Sequence, residues 1–150
     1  MTQNKISEVS SVDVRIEHLR DRVGIGTARP RLSWTVETES RDWLQTGYEI
    51  ESYDPDGTLL DQTGRVESDQ SVLLAWPFAP LTSREQLSVR VRVWDKEDRV
   101  SEWSEAVSIE AGLLSTSDWN ARFITPARDA GVPLREGRRT GAFKSCVRLA

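Results

Sequence analysis

The sequence contains few of the residues from which disulfides and metal sites are built. Its 150 residues include one cysteine, Cys146, and one histidine, His18. A single cysteine excludes an internal disulfide, and a metal site needs three or four suitable ligands. We therefore expect no metal and no cofactor. We interpret His18 as a surface residue at a strand end rather than an acid–base group, and Cys146 as a thiol without a catalytic role.

Long apolar segments are also missing. The N-terminal stretch MTQNKISEVSS lacks the apolar core of a signal peptide. No run approaches the roughly 18 apolar residues that a membrane-spanning helix needs. Together with the single thiol, these absences predict a cytoplasmic location and no membrane partner.

Charge and glycine content do not favour nucleic-acid or phosphate binding. The net charge of −4 disfavours nucleic acid as a partner. Residues 121–150 carry seven Lys and Arg against two Asp and Glu, but without the interleaved aromatic residues of a nucleic-acid arm. Gly24-Ile25-Gly26 is not followed by the Lys-Ser/Thr and helix of a phosphate loop, so we interpret it as a crossing loop.

The same charge count divides the chain. Residues 1–120 hold 13 basic and 22 acidic residues, a net charge of −9, whereas residues 121–150 carry +5. A change of composition of this kind indicates a boundary near residues 115–120.

Alternating apolar residues predict β-strands along most of the chain. In the clearest run, LSVRVRVW, Leu87, Val89, Val91 and Val93 share one face. A polar turn and a second alternating run with Val107, Ile109 and Ala111 complete a hairpin. No window has helical periodicity. Further strands are expected at residues 12–16, 32–36, 45–53, 58–60 and 72–76.

Several strands of this length, separated by turn residues, predict an all-β protein. We expect a fibronectin-III/immunoglobulin-like antiparallel β-sandwich over residues 11–114. A frayed N-terminus at residues 1–10 precedes it, and residues 115–150 form a linker and the start of another part of the protein.

Two groups of side chains are candidate sites. Arg90 and Arg92 lie on the outward face of the main strand, and Trp103 follows the turn, so its ring is expected to cross them as a cation–π ladder with a structural role. Trp43 and Trp76 lie at strand ends or in loops. Each is a candidate for stacking on a sugar ring, for contact with a neighbouring domain, or for the module's own core.

Three stretches also resemble a known family. VRVRVWDKEDRVSEWSEAVSIEAGLLSTSDWNARFI, the string ARPRLSW at Ala28–Trp34 and SDQS at Ser68–Ser71 are similar to the N-terminal fibronectin-III-like module of bacterial α-L-rhamnosidases. The resemblance covers residues 12–126 well. It implies that residues 115–150 are a linker and the truncated start of a second β-rich domain.

The resemblance implies a non-catalytic accessory role. The parent enzyme would hydrolyse terminal α-L-rhamnosyl residues with inversion, and its catalytic barrel has no counterpart in this sequence. Glycoside hydrolysis needs two flanking carboxyl groups, and none of the 24 acidic residues stands in a recognisable catalytic motif. The chain alone is expected to be inactive. Its expected partners are the other domains of the enzyme and rhamnose-containing glycosides.

A free-standing fibronectin-III-like module that binds carbohydrate or protein is the alternative function. A sandwich fold hosts many functions and does not decide between the two. Such modules are usually exported, so the missing signal peptide favours the rhamnosidase module.

Overall fold

The computed structural model describes residues 9–17, 23–122 and 124. The chain divides into two compact units, residues 1–114 and 115–150. The described part of the second unit contains a short 3-10 helix, Thr116–Asp118, and no strand. The rest of the predicted second β-rich domain lies outside the described residues.

The described part of the first unit consists of strands, as the alternating pattern predicted. Their bounds are β1 (Val9–Ile16), β2 (Val23–Ile25), β3 (Leu32–Thr38), β4 (Gln45–Tyr53), β5 (Leu59–Gln62), β6 (Val66–Glu67), β7 (Gln86–Asp95) and β8 (Val107–Ala111).

The strands form two sheets. β1 and β3 make a two-stranded antiparallel sheet. The other sheet has six strands in the order β2-β8-β7-β4-β5, and β6 also pairs with β4. The expected hairpin of β7 and β8 is confirmed, with Val89 opposite Val107. The predicted all-β sandwich is therefore correct.

One core lies between the sheets, because each strand turns alternate side chains inward. On β1 the buried residues are Val12, Val14 and Ile16, and on β7 they run from Leu87 to Val93 at every second position. Tyr48 packs edge-on against Trp34, with ring centroids 5.2 Å apart. The other buried hydrophobic residues are Ile25, Leu32, Ile50, Leu74, Trp76, Leu81, Val107, Ile109 and Ala111.

Gly24 and Ile25 of the expected crossing loop instead belong to β2, which pairs in parallel with β8. The purely antiparallel expectation is therefore wrong at this pair. Glycine at position 112 lets the chain after β8 lie close to β2, because a Cβ on Gly112 would lie 3.2 Å from the Gly24 carbonyl oxygen. The Gly112 N–H donates to the Ile25 carbonyl over 2.9 Å, and the Ile25 side chain enters the core. A single apolar residue between glycines has no period from which a strand could be predicted.

The expected strand at residues 72–76 is absent. Leu74 makes a single antiparallel bridge with Leu32, with N–H···O distances of 2.9 and 2.8 Å. The neighbouring Leu73 has a φ of +51°, a left-handed conformation that no strand can continue through. Its N–H donates to the Ser33 hydroxyl instead.

Candidate functional site

The outward face of β4 and β7 carries two cross-strand ion pairs. Glu49 lies opposite Arg92, and Glu51 lies opposite Arg90. Arg92 donates from Nε and NH2 to Glu49 Oε2 over 2.7 and 2.6 Å, and Arg90 does the same to Glu51 Oε2 over 2.8 and 2.7 Å. Two donors on each carboxylate make these strong charge-assisted bonds.

Trp103 reaches this face because, in the segment before β8, the residues that bond to β7 are three positions apart. Ser101 and Ser104 each donate their backbone N–H to a β7 carbonyl, and their hydroxyls accept the N–H groups of Val93 and Val91 over 3.0 Å. The three-residue step from Ser101 to Ser104 therefore lies alongside a two-residue step of β7, from Val93 to Val91. With both serines facing the strand, Trp103 between them projects over the outer face.

The three predicted ladder residues are brought together, with further members on either side. The guanidinium carbon of Arg90 lies 4.5 Å from the Trp103 ring centroid, and that of Arg92 lies 4.4 Å away. We call the complete stack the arginine–aromatic row. Its order is Tyr53, Arg90, Trp103, Arg92, Trp94 and Arg65, with the remaining contacts between 4.9 and 5.1 Å.

Arg65 reaches the Trp94 end of the row because Gly47 on β4 has no side chain in its way. Gly47 lies opposite Trp94, and a Cβ at Gly47 would come within 3.1 Å of the Val66 carbonyl oxygen and 3.6 Å of Arg65 Nε. Glycine therefore lets β6 and the Arg65 side chain lie close to β4. Arg65 also pairs with Glu67 over 2.7 Å.

The geometry of the row favours a structural role over ligand binding. Arg90 is covered by Tyr53 and Trp103, while two of its nitrogens bind Glu51. Burial, followed by the hydrogen bond to Glu51, raises the pKa of Tyr53, so its hydroxyl stays a neutral donor. The row ties β4 and β7 to the segment that precedes β8.

The sandwich corresponds to a known protein family. Residues 11–115 match the family described as the Rha78A-like, N-terminal immunoglobulin domain. The chain belongs to this family. We refer to the matched part as the Ig-like domain.

The relatives of the Ig-like domain are much longer proteins. The chain is 33% identical over 127 residues to an α-L-rhamnosidase of Streptomyces avermitilis. This alignment covers 81% of the chain and 12% of that protein. It is 32% identical over 137 residues to an α-L-rhamnosidase of Formosa agariphila, and this alignment covers 83% of the chain and 15% of that protein. The chain thus spans about 12–15% of the length of the curated relatives it matches.

Solved structures give the same correspondence. The S. avermitilis α-L-rhamnosidase, crystallised with L-rhamnose, superposes with a TM-score of 0.71 at 31% identity, over 79% of this chain and 12% of that one. The α-L-rhamnosidase of Aspergillus terreus superposes with a TM-score of 0.67 at 41% identity, over 73% and 13%.

Trp76 is a core residue of the Ig-like domain, which is one of the three roles considered for it. Its side chain is 5% exposed. Its Nε1–H donates to the Ala79 carbonyl over 2.8 Å, and Phe78 packs edge-on at 5.4 Å. Residues 77–80 form a loop that folds back over the ring.

Trp43 is half-buried against the same core and lines a cavity of about 180 Å³ with Asp95 and Arg99. Its Nε1–H is buried, and no acceptor for it exists among the described residues. Contact between Trp43 and a sugar or another domain stays a prediction.

We expect Trp43→Phe to leave the free energy of unfolding within about 0.5 kcal/mol of the original protein or to raise it. The change deletes an N–H whose burial without an acceptor costs about 1–3 kcal/mol, and this gain offsets the smaller ring. Trp76→Phe is the matched control, because it breaks a bond to Ala79. Urea denaturation checks both variants, and equal losses would contradict the interpretation of Trp43.

Asp95 holds the turn between β7 and Trp103. One carboxylate oxygen accepts the N–H groups of Glu97 and Arg99 over 2.9 Å, and the other accepts Arg99 Nε over 2.7 Å. Burial opposes the charge, but the hydrogen bonds from Arg99 and Glu97 outweigh it and lower the pKa of Asp95 below its usual 3.8.

We expect Asp95→Asn to destabilise the domain at pH 7 and to have less effect in acid. Because the folded pKa is lowered, the carboxylate contributes fully above the unfolded value of 3.8 and loses its contribution as the pH falls through the lower folded value. Thermal unfolding between pH 7 and pH 2 measures the difference from the original protein. A difference that does not shrink in acid would refute this role.

His18 and Cys146, for which no catalytic or metal-binding role was expected, lie outside the described residues. Within the described ranges, no group of three or more His, Cys, Asp or Glu could hold a metal ion. The same part of the chain has no helix that is long and apolar enough to cross a membrane.

Proposed function

We propose that this Ig-like domain is the N-terminal accessory module of an α-L-rhamnosidase, and that the whole enzyme hydrolyses terminal α-L-rhamnosyl residues with inversion. The observation that carries the proposal is the family match over residues 11–115, together with relatives that are all α-L-rhamnosidases. The module's partners are then the other domains of that enzyme, and rhamnose-containing glycosides are the substrate.

The carboxylates of the Ig-like domain support a non-catalytic role. A glycosidase acid needs a raised pKa so that it can protonate the leaving group. The most buried carboxylates described here are instead held by arginine: Glu49 by Arg92, and Asp95 by Arg99. The pKa of Asp95 moves in the opposite direction. These groups stabilise the fold in their charged form.

Hydrolysis of p-nitrophenyl α-L-rhamnopyranoside tests the proposal. We expect the longer protein that carries this module to release p-nitrophenol and β-L-rhamnose as the first anomer, detected by NMR. The 150-residue chain should release no more product than a buffer blank. Hydrolysis by the chain alone would overturn the accessory role. A longer protein that cleaves no α-L-rhamnoside would overturn the proposed enzyme class.

A further inference from the structure

The first strand has a free edge. Among the described residues, β1 pairs only with β3. The N–H groups of Leu32 and Trp34 point away from β1, because they donate to Leu74 and Ser71. On the other side, the Glu17 N–H donates to Arg31. Since antiparallel pairs alternate, the odd-numbered residues of β1 bond to β3, and the backbone groups of Val12 and Val14 face the free edge.

This edge lines a slot of about 400 Å³. One wall is β1 from Val9 to Val14, and the other is the segment Glu102–Val107. The side chains of Val12, Val14 and Val107 are buried and form an apolar floor. The slot therefore combines apolar surface with backbone groups that have no partner among the described residues, which is what an added β-strand uses for affinity and side-chain selection.

The exposed rim of the slot is acidic. Asp13, Glu102 and Glu105 line it, and its lining includes no Lys or Arg. Asp13 has a neighbouring cation, Arg15, at 3.3 Å. Glu102 and Glu105 are exposed, and no cation lies within ion-pair distance of either among the described residues. Their negative charge is therefore available to a basic partner.

We propose that an extended basic segment of the parent protein, from outside these 150 residues, adds to β1 as a strand in this slot. The source of the segment rests on the proposed function, since the relatives are about six to seven times as long as this chain. Alternate side chains of the segment contact the apolar floor, while its Lys or Arg residues face Glu102 and Glu105. A second copy of this chain is disfavoured, because two acidic rims would repel.

A peptide titration of the 150-residue chain tests the slot itself. The probe is acetyl-Lys-Val-Lys-Val-Lys-Val-amide, followed by ¹⁵N NMR. We expect saturable shifts at Val12, Val14 and residues 102–107. The Glu102→Lys/Glu105→Lys variant should bind at least about tenfold more weakly, whereas Asp56→Lys/Asp69→Lys, at exposed acidic residues elsewhere, should bind normally. The same peptide with alternate amides methylated keeps its charge and should not bind.

Each peptide result bears on the slot. No binding, or binding that survives both the charge reversal and the methylation, would overturn the proposal. Circular dichroism of the two double variants establishes that they are folded before the comparison is made.

Hydrogen exchange tests the source of the strand. In the 150-residue chain, the amides of Val12 and Val14 should exchange faster than those of Asp13 and Arg15. In the longer protein, Val12 and Val14 should become at least about tenfold more protected. Unchanged exchange there, after successful peptide binding, would overturn the intramolecular source. Neither result depends on rhamnoside hydrolysis, so this inference and the proposed function can fail separately.

Discussion

Replacing Trp103 with alanine is expected to lower the free energy of unfolding by about 3 kcal/mol, within the range measured for large aromatic-to-alanine changes. The ring is held between two guanidinium groups at 4.4 and 4.5 Å. Each cation–π contact contributes about 0.5–2 kcal/mol, and the buried part of the indole adds its hydrophobic contribution. Without the ring, water reaches Arg90, Arg92 and the carboxylates that they bind, and these ion pairs weaken.

Two further variants separate the row from general effects of losing a tryptophan. Trp103→Phe keeps a flat ring over both arginines and should retain more than half of the lost stability. Trp119→Ala removes a tryptophan that is 60% exposed and should change the free energy by less than about 0.5 kcal/mol. Urea unfolding followed by far-ultraviolet circular dichroism compares all three. An unchanged midpoint for Trp103→Ala would refute a stabilising role for the row.

Alternation predicted the core strands because a half-buried strand has a short, regular period. β4 occupies Gln45–Tyr53, the range expected from the sequence, and its Tyr48 and Ile50 side chains are buried in the core. The same rule could not find β2, whose one buried residue, Ile25, lies between two glycines. It also produced a false strand at residues 72–76, where apolar residues are adjacent and Leu73 adopts a left-handed conformation.

The candidate site was only partly predictable, because most of its contacts join residues far apart in sequence. Arg90, Arg92 and Trp103 lie on one hairpin, so their meeting follows from local spacing. Glu49 and Glu51 become their partners only through the register of β4 on β7. One signal was available locally: Ser101, Ser104 and Val107 repeat at three-residue intervals, and all three are buried.

Three of the four tryptophans outside the row show why exposure cannot be inferred from a position near a strand end. Trp76 precedes a proline and was expected at a strand end or in a loop, yet the chain that follows returns over the ring, and the Ala79 carbonyl accepts the indole N–H. Trp34 lies in the middle of β3 and is buried, but its acceptor comes from Gln45 on another sheet. The partner of each indole N–H depends on tertiary packing, and for Trp43 the described residues provide none.

Replacing Gln45 with alanine is expected to cost about 2–4 kcal/mol of unfolding free energy, because one side chain satisfies three polar groups. Its Oε1 accepts the Trp34 Nε1–H over 2.9 Å, and its Nε2 donates to the carbonyls of Ser68 and Gln70 over 3.1 and 3.0 Å. Trp34 is 2% exposed, so its N–H would be left buried without an acceptor. The bond from Trp34 also joins β3 of the smaller sheet to β4 of the larger one.

A double-mutant cycle assigns the loss to the Trp34 bond. In the Gln45→Ala background, Trp34→Phe deletes the stranded donor, so the double variant should be less destabilised than the sum of the single changes by at least about 0.5 kcal/mol. Gln62→Ala, an exposed glutamine on β5, is the matched control and should be nearly neutral. Urea unfolding gives the four free energies of the cycle. If the single changes simply add, or if Gln45→Ala is as mild as Gln62→Ala, Gln45 does not link the two sheets in the way that the structure indicates.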